Sequence, residues 1–182
     1  MTTANRFYNI LRKFGIDDAF YLGSRWYPNA WDLCCDIGLE HSVAPKRVAA
    51  VMAVTSPRAR WSVNVDATRR IVSDAMSHGH DGKTYGILRR NETKAIRVMS
   101  SRYYSNIVVG PKVSAFYDAI CGDTDVVTVD SIMSQAAGHT ADVTPRIREE
   151  VITACWQIGE VFGLTPRDAQ AAVWCAFRGS AA

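Results

Sequence analysis

The segment Val109-Gly110-Pro111-Lys112-Val113-Ser114-Ala115-Phe116, followed by Val126-Val127-Thr128-Val129-Asp130-Ser131, decides how the chain reads. A glycine turn delivers Lys112 to the start of an apolar helix over 113–120, which Cys121-Gly122-Asp123 then breaks. Eighteen residues beyond Lys112, a β-branched run delivers Asp130 to the start of a short helix over 131–137. The run Val126–Val129 favours strand by propensity, but with four residues and no partner run it reads as an extended connector. An amine and a carboxylate held over one groove have a joint chemistry, Schiff-base formation with assisted proton transfer. Each residue alone has a plainer reading. A lysine at a helix start meets solvent or a phosphate, and an aspartate there is a favoured N-cap. For Asp130 the two readings coexist, because a cap holds the carboxylate in place.

Outward from this segment the chain is helical almost throughout. Residues 5–14 carry Phe7, Ile10, Leu11 and Phe14 at helical spacing and stop at Gly15. Residues 31–37 read as a short apolar helix ending at Gly38. Ala44-Pro45 opens a helix with a nearly continuous buried run (Val48, Ala49, Val51, Met52, Val54) that ends at Thr55-Ser56-Pro57. Helices follow over 63–76, with Ala67, Ile71 and Ala75 on one stripe, and over 91–99, with a loop over 77–82 between them. Thr144-Pro145 and Thr165-Pro166-Arg167-Asp168 supply caps and first-turn prolines for two late helices. The expectation is an all-α chain of about eight to ten short helices.

A chain of 182 residues, 48% of them apolar, is long enough to bury a core and too apolar for disorder. No run is long enough to span a bilayer, and the N-terminus leads into no signal-peptide stretch, so a cytoplasmic protein is expected. Five cysteines, an odd number without CxxC spacing, read as reduced core thiols, and the scattered histidines give no metal set, His78-Gly79-His80 included. The net charge of +3 is unevenly spread: residues 58–112 hold eleven Lys and Arg against four Asp and Glu, a net +7, and the rest is −4. Such segregation suits a polyanionic phosphate partner, although a solvated face is the commoner origin of a basic stretch.

Several segments taken in order carry a family resemblance. Val48-Ala49-Ala50-Val51-Met52-Ala53-Val54-Thr55-Ser56-Pro57 runs into Ser62-Val63-Asn64 and Ala67-Thr68. Asn91-Glu92-Thr93-Lys94-Ala95 precedes the Lys112 turn, and Ala172-Val173-Trp174 with Phe177-Arg178-Gly179 closes the chain. Together with the Lys112–Asp130 spacing, over roughly residues 45–179, they resemble the helix-hairpin-helix (HhH-GPD) DNA glycosylase superfamily, endonuclease III-like, in the short bacteriophage form without an iron–sulfur cluster. The resemblance implies a two-lobed all-α fold with a central cleft, one lobe over 45–128 carrying the hairpin and the other from 1–44 plus 130–182, all within one unit over 1–182. It implies a monomer without cofactor that acts on a flipped nucleotide of duplex DNA carrying a modified or damaged base, in the host cytosol if phage-encoded. Lys112 would attack C1′, and Asp130 would activate it and stabilise the oxocarbenium-like sugar. Arg58, Arg60 and Trp61 would reach phosphates or wedge the gap, Asn106, Val109, Gly110 and Pro111 would form the phosphate-binding hairpin, and Tyr103 and Tyr104 would line the base pocket. Core packing is an equal or commoner fate for these aromatics.

The chain also departs from that pattern. Asn106-Ile107-Val108-Val109-Gly110 keeps only the second hairpin glycine, and Val108 does not readily take positive φ. Ser131-Ile132 stands where Thr-His is common, Pro57 where a glutamine is, and the four-cysteine loop is absent. Two alternatives therefore stay open. One is a phage thymine-hypermodification transferase of the same fold, in which the glycosidic bond survives. The other is a catalytically silent helix-hairpin-helix DNA-binding module.

Overall fold

Thr2, Thr144 and Thr165 each turn a side-chain oxygen onto a backbone N–H three residues on, and each starts a helix. A computed structural model of the chain describes residues 1–77, 79–80, 83–140 and 142–179. Among the described residues there are nine α-helices and no strand. They are α1 Thr3–Phe14, α2 Ile16–His41, α3 Pro45–Thr55, α4 Trp61–Ser77, α5 Arg89–Ser100, α6 Pro111–Ile120, α7 Ser131–Ala136, α8 Pro145–Phe162 and α9 Pro166–Arg178. The expected all-α class holds, as do the helix starts at Pro45, Ser131, Pro145 and Pro166, and Val126–Val129 is an unpaired connector. Of the loop expected over 77–82, Ser77 ends α4, while His78, Asp81 and Gly82 lie outside the described residues.

The short helix expected over 31–37 is corrected. It is the second half of α2, a helix of 26 residues that runs through Pro28 and Gly38. Pro28 cannot donate to the Ser24 carbonyl, yet both residues are exposed, so water can take that place. Gly23 and Gly38 belong to the helix for steric reasons. A Cβ on Gly23 would lie 2.5 Å from the Ala172 nitrogen of α9, and one on Gly38 would lie 2.5 Å from the Val43 carbonyl oxygen. No helix among the described residues is long and apolar enough to cross a membrane.

The chain divides into two compact units, Met1–Asn29 with Gly122–Ala182, and Ala30–Cys121. The first division falls inside α2, two residues past Pro28, rather than at the 44/45 position read from sequence, and the second falls at 121/122 rather than at 128–130. Within Ala30–Cys121, α3 is the centre: every residue from Val48 to Thr55 is at most 1% exposed, and α4, α5 and α6 pack around it. Its one apolar-free face is satisfied internally, since the Thr55 hydroxyl lies 2.5 Å from Asn64 Oδ1 and the Asn64 amide donates to the Met52 carbonyl at 3.2 Å. The other unit packs α1 against α7, α8 and α9 around Phe7, Leu11, Met133, Val151, Cys155 and Val173.

Candidate functional site

Burial of α3 fixes the place where it stops. Ser56 is its C-cap, 8% exposed, and its hydroxyl donates to the Ala53 carbonyl at 2.9 Å. Lys112, second residue of α6, reaches that hydroxyl: its Nζ donates to Ser56 Oγ at 2.9 Å and lies 5.6 Å from the centre of the Phe116 ring one turn on. The turn leaving Ser56 is itself pinned, because the Asn91 amide of α5 donates to the Pro57 carbonyl at 3.0 Å. Arg58 sits there at φ +61°, a left-handed conformation uncommon for a residue with a Cβ. Arg58 and Arg60 are exposed, and Trp61 is half-buried as the first residue of α4. The structure thus brings Lys112 to the end of α3, from which the turn carrying Arg58 and Arg60 departs.

The α5–α6 connection, residues 101–110, starts from a helix end held by Arg47. Its guanidinium donates to the carbonyls of Val98 at 2.5 Å and Ser101 at 2.7 Å, covering the C-terminus of α5, and lies 4.9 Å from the centre of the Tyr104 ring. Tyr104 is half-buried and hydrogen-bonds Tyr117, whose hydroxyl pKa burial pushes well up. Tyr103 instead is 72% exposed, with the Arg102 guanidinium 5.3 Å over its ring. The two tyrosines expected to share a pocket therefore have different surroundings. The N–H groups of Ile107 and Val108 both turn back to the Tyr104 carbonyl, at 2.9 and 3.2 Å, and Val108 is buried without positive φ. Asn106, Val109, Gly110 and Pro111 are exposed. Gly110 takes φ +103° at the N-cap of α6, so the chain needs its glycine there for conformation alone, with nothing within 4 Å of an added Cβ.

Asp130 lies in the other unit. It is the N-cap of α7, as its position in sequence predicts, with Oδ1 accepting from the N–H of Ile132 at 3.0 Å and of Met133 at 2.9 Å. Oδ2 accepts from the Trp174 indole N–H at 3.3 Å. Trp174 is held in turn, edge-on to Trp26 at 6.0 Å and beneath Arg178 at 5.5 Å. Below the connector, the buried Tyr27 hydroxyl donates toward Gln170 Oε1 at 2.7 Å, lies 2.9 Å from Thr128 Oγ1, and has its pKa driven up by burial.

Sequence reasoning singled out Lys112 and Asp130 but missed what holds them. Ser56 had been read only as a helix end, and Arg47 gave no signal. Trp174 enters the sequence reading through the family resemblance, whereas its indole N–H binds the Asp130 carboxylate.

A second polar feature is closed on itself. An open groove of about 530 Å³ lined by Glu40, Arg69, Arg70, Asp74 and Lys83 has its charges paired, Arg69 with Glu40 and Lys83 with Asp74 at 2.6 Å. Burial raises the Cys34 and Cys175 thiols to about 12, which keeps them protonated and inert as nucleophiles near neutral pH. Among the described residues no group of three or more His, Cys, Asp or Glu is placed to hold a metal ion.

The fold and these residues define an all-α protein built of two helical units. The chain belongs to DUF7178, a family of unknown function, whose model matches residues 2–181. No curated protein and no solved structure matches it.

Proposed function

We propose that the chain is a DNA-base enzyme of the helix-hairpin-helix glycosylase type, with Lys112 as nucleophile and Asp130 as activating carboxylate. The observation that carries the reading is the Lys112 amine, fixed by a 2.9 Å hydrogen bond at the end of a helix buried from Val48 to Thr55, beside a turn that exposes two arginines. A lysine serving only solubility would not need a buried anchor. Charge supports the same unit as the DNA-facing one: residues 30–121 hold thirteen Lys and Arg against eight Asp and Glu, a net +5, and the remainder is −2.

In the proposed reaction the neutral amine forms a bond to C1′ of the flipped nucleotide as the N-glycosidic bond breaks. The base leaves with the electron pair and takes up a proton. The nitrogen then loses one proton, and the C1′–O4′ bond opens with its electron pair going to O4′, which takes up a proton to become a hydroxyl, leaving a protonated imine on Lys112. Asp130, whose carboxylate is held by three N–H donors within its own unit, is the group this proposal assigns as the activating carboxylate. The two units are read as the two lobes of that fold, and damaged or modified duplex DNA as the partner.

Borohydride trapping on oligonucleotides tests this directly. The panel carries abasic, uracil, hydroxymethyluracil, oxidised-pyrimidine and oxoguanine sites, with Lys112→Ala alongside. The expected result is a covalent adduct on at least one site, lost in Lys112→Ala. DNA binding without any adduct would overturn the glycosylase reading in favour of base hypermodification or a silent DNA-binding module.

A further inference from the structure

We propose that Ser56 is the positioning residue for Lys112: its buried hydroxyl holds the Lys112 amine at a fixed point at the start of α6. The inference rests on the function proposed above for Lys112. Three observations carry it. Ser56 Oγ commits its own proton to the Ala53 carbonyl at 2.9 Å, so toward Lys112 it acts as an acceptor, at 2.9 Å. The hydroxyl cannot drift, because Ser56 ends a helix whose last eight residues are at most 1% exposed. The turn beyond it is tied down by the Asn91–Pro57 hydrogen bond. A flexible four-carbon stem otherwise leaves an amine free among many rotamers, and an attacking nitrogen must be held to within a fraction of an ångström. Phe116 narrows the stem's freedom from one side, 5.6 Å from the nitrogen, and Ser56 fixes its end.

A helix-capping role alone would make Ser56 matter for stability and not for the amine. Two readouts separate these roles. The first needs no DNA: trace labelling with acetic anhydride, read by peptide mass spectrometry, gives the reactivity of Lys112 relative to the other lysines. Ser56→Ala is expected to raise Lys112 labelling about threefold and leave the others unchanged, since the amine loses the hydroxyl to which it donates. The second readout is the rate of borohydride trapping on the best oligonucleotide of the panel. It is expected to fall roughly tenfold in the same variant, with Ser56→Thr restoring both values. This opposition, faster with a small reagent and slower with DNA, is not produced by loss of fold, which raises labelling of every lysine. If Ser56→Ala does unfold, the near-isosteric Ser56→Cys, a weak acceptor, takes its place. Unchanged Lys112 labelling overturns the proposal, as does unchanged trapping. If the wild type traps on no oligonucleotide, the glycosylase reading fails, and the labelling comparison alone decides whether Ser56 holds the amine.

Discussion

The two units anchor their candidate residues differently. In Ala30–Cys121 the Lys112 amine rests on a hydroxyl at the end of a buried helix, and the residue itself is half-buried in the first turn of α6. In the other unit Asp130 is woven into the fold, with one oxygen starting α7 and the other bound to the indole of α9. The first arrangement leaves the side chain removable. The second makes the carboxylate structural whatever else it does. The same contrast holds between their glycines: Gly23 lies where two helices touch, whereas Gly110 lies in open space.

The glycines offer the largest effect. A Cβ at Gly23 would stand 2.5 Å from the Ala172 nitrogen and 2.7 Å from its Cα, backbone atoms that cannot step aside. Gly23→Val is expected to cost about 3 kcal/mol, lowering the Tm by roughly 10 °C in a chain of this size. Gly110→Ala meets no neighbour and pays only for its φ of +103°, about 1–2 kcal/mol. Thermal unfolding of the two variants compares them. Equal losses would mean that the close approach of α2 and α9 is not what fixes Gly23.

The asymmetry explains what was legible. Local signals were read correctly: Thr144-Pro145, Thr165-Pro166 and Asp130 each bond an N–H no more than three residues away, so the chain around them suffices. The first half of α2 was not read, because Pro28 and the glycines at 23 and 38 are normally breakers. Their tolerance depends on exposure and on contacts distant in sequence, such as Gly23 against Ala172. The partners of the candidate residues were hidden for the same reason. Ser56 and Lys112 are 56 positions apart, Asp130 and Trp174 are 44, and no spacing rule links them. Of the candidate site, Lys112 and Asp130 stand out in the sequence, but not the residues that hold them.

Substitution at the two candidate residues sharpens the comparison at an intermediate scale. Asp130→Ala removes an N-cap and leaves the Trp174 N–H short of its acceptor, an expected loss of about 1–2 kcal/mol in urea unfolding. Lys112→Ala is expected to stay within about 0.5 kcal/mol of wild type. Asp130→Asn divides the roles of the carboxylate: asparagine keeps the cap but its amide nitrogen cannot accept from the Trp174 indole, so about 1 kcal/mol of stability is lost, while trapping on DNA falls with the charge. Retained trapping in Asp130→Asn would leave Asp130 a cap and nothing more.

The smallest effect is acid sensitivity, for which each unit has one carboxylate. In Ala30–Cys121, the Lys83 ammonium and then the Tyr85 hydroxyl hold Asp74 below its ordinary 3.8. In the other unit, the Thr3 hydroxyl and then His139 hold Glu150 below its ordinary 4.5. A depressed carboxylate binds protons more weakly in the folded state than in the unfolded one. Its contribution is therefore complete above the ordinary value and is lost as pH falls through the depressed one, a window below 3.8 for Asp74 and below 4.5 for Glu150. The Asp74 and Glu150 side chains are 20% and 36% exposed, so each contribution stays below about 1 kcal/mol. Hydrogen exchange followed against pH, with protection read separately in the two units, resolves them. Asp74→Asn is expected to flatten the acid limb in 30–121 alone, and Glu150→Gln in the other unit alone. A limb that flattens in both units with either variant would show that the units lose protection together, and would remove the ground for treating Lys112 and Asp130 as separately anchored.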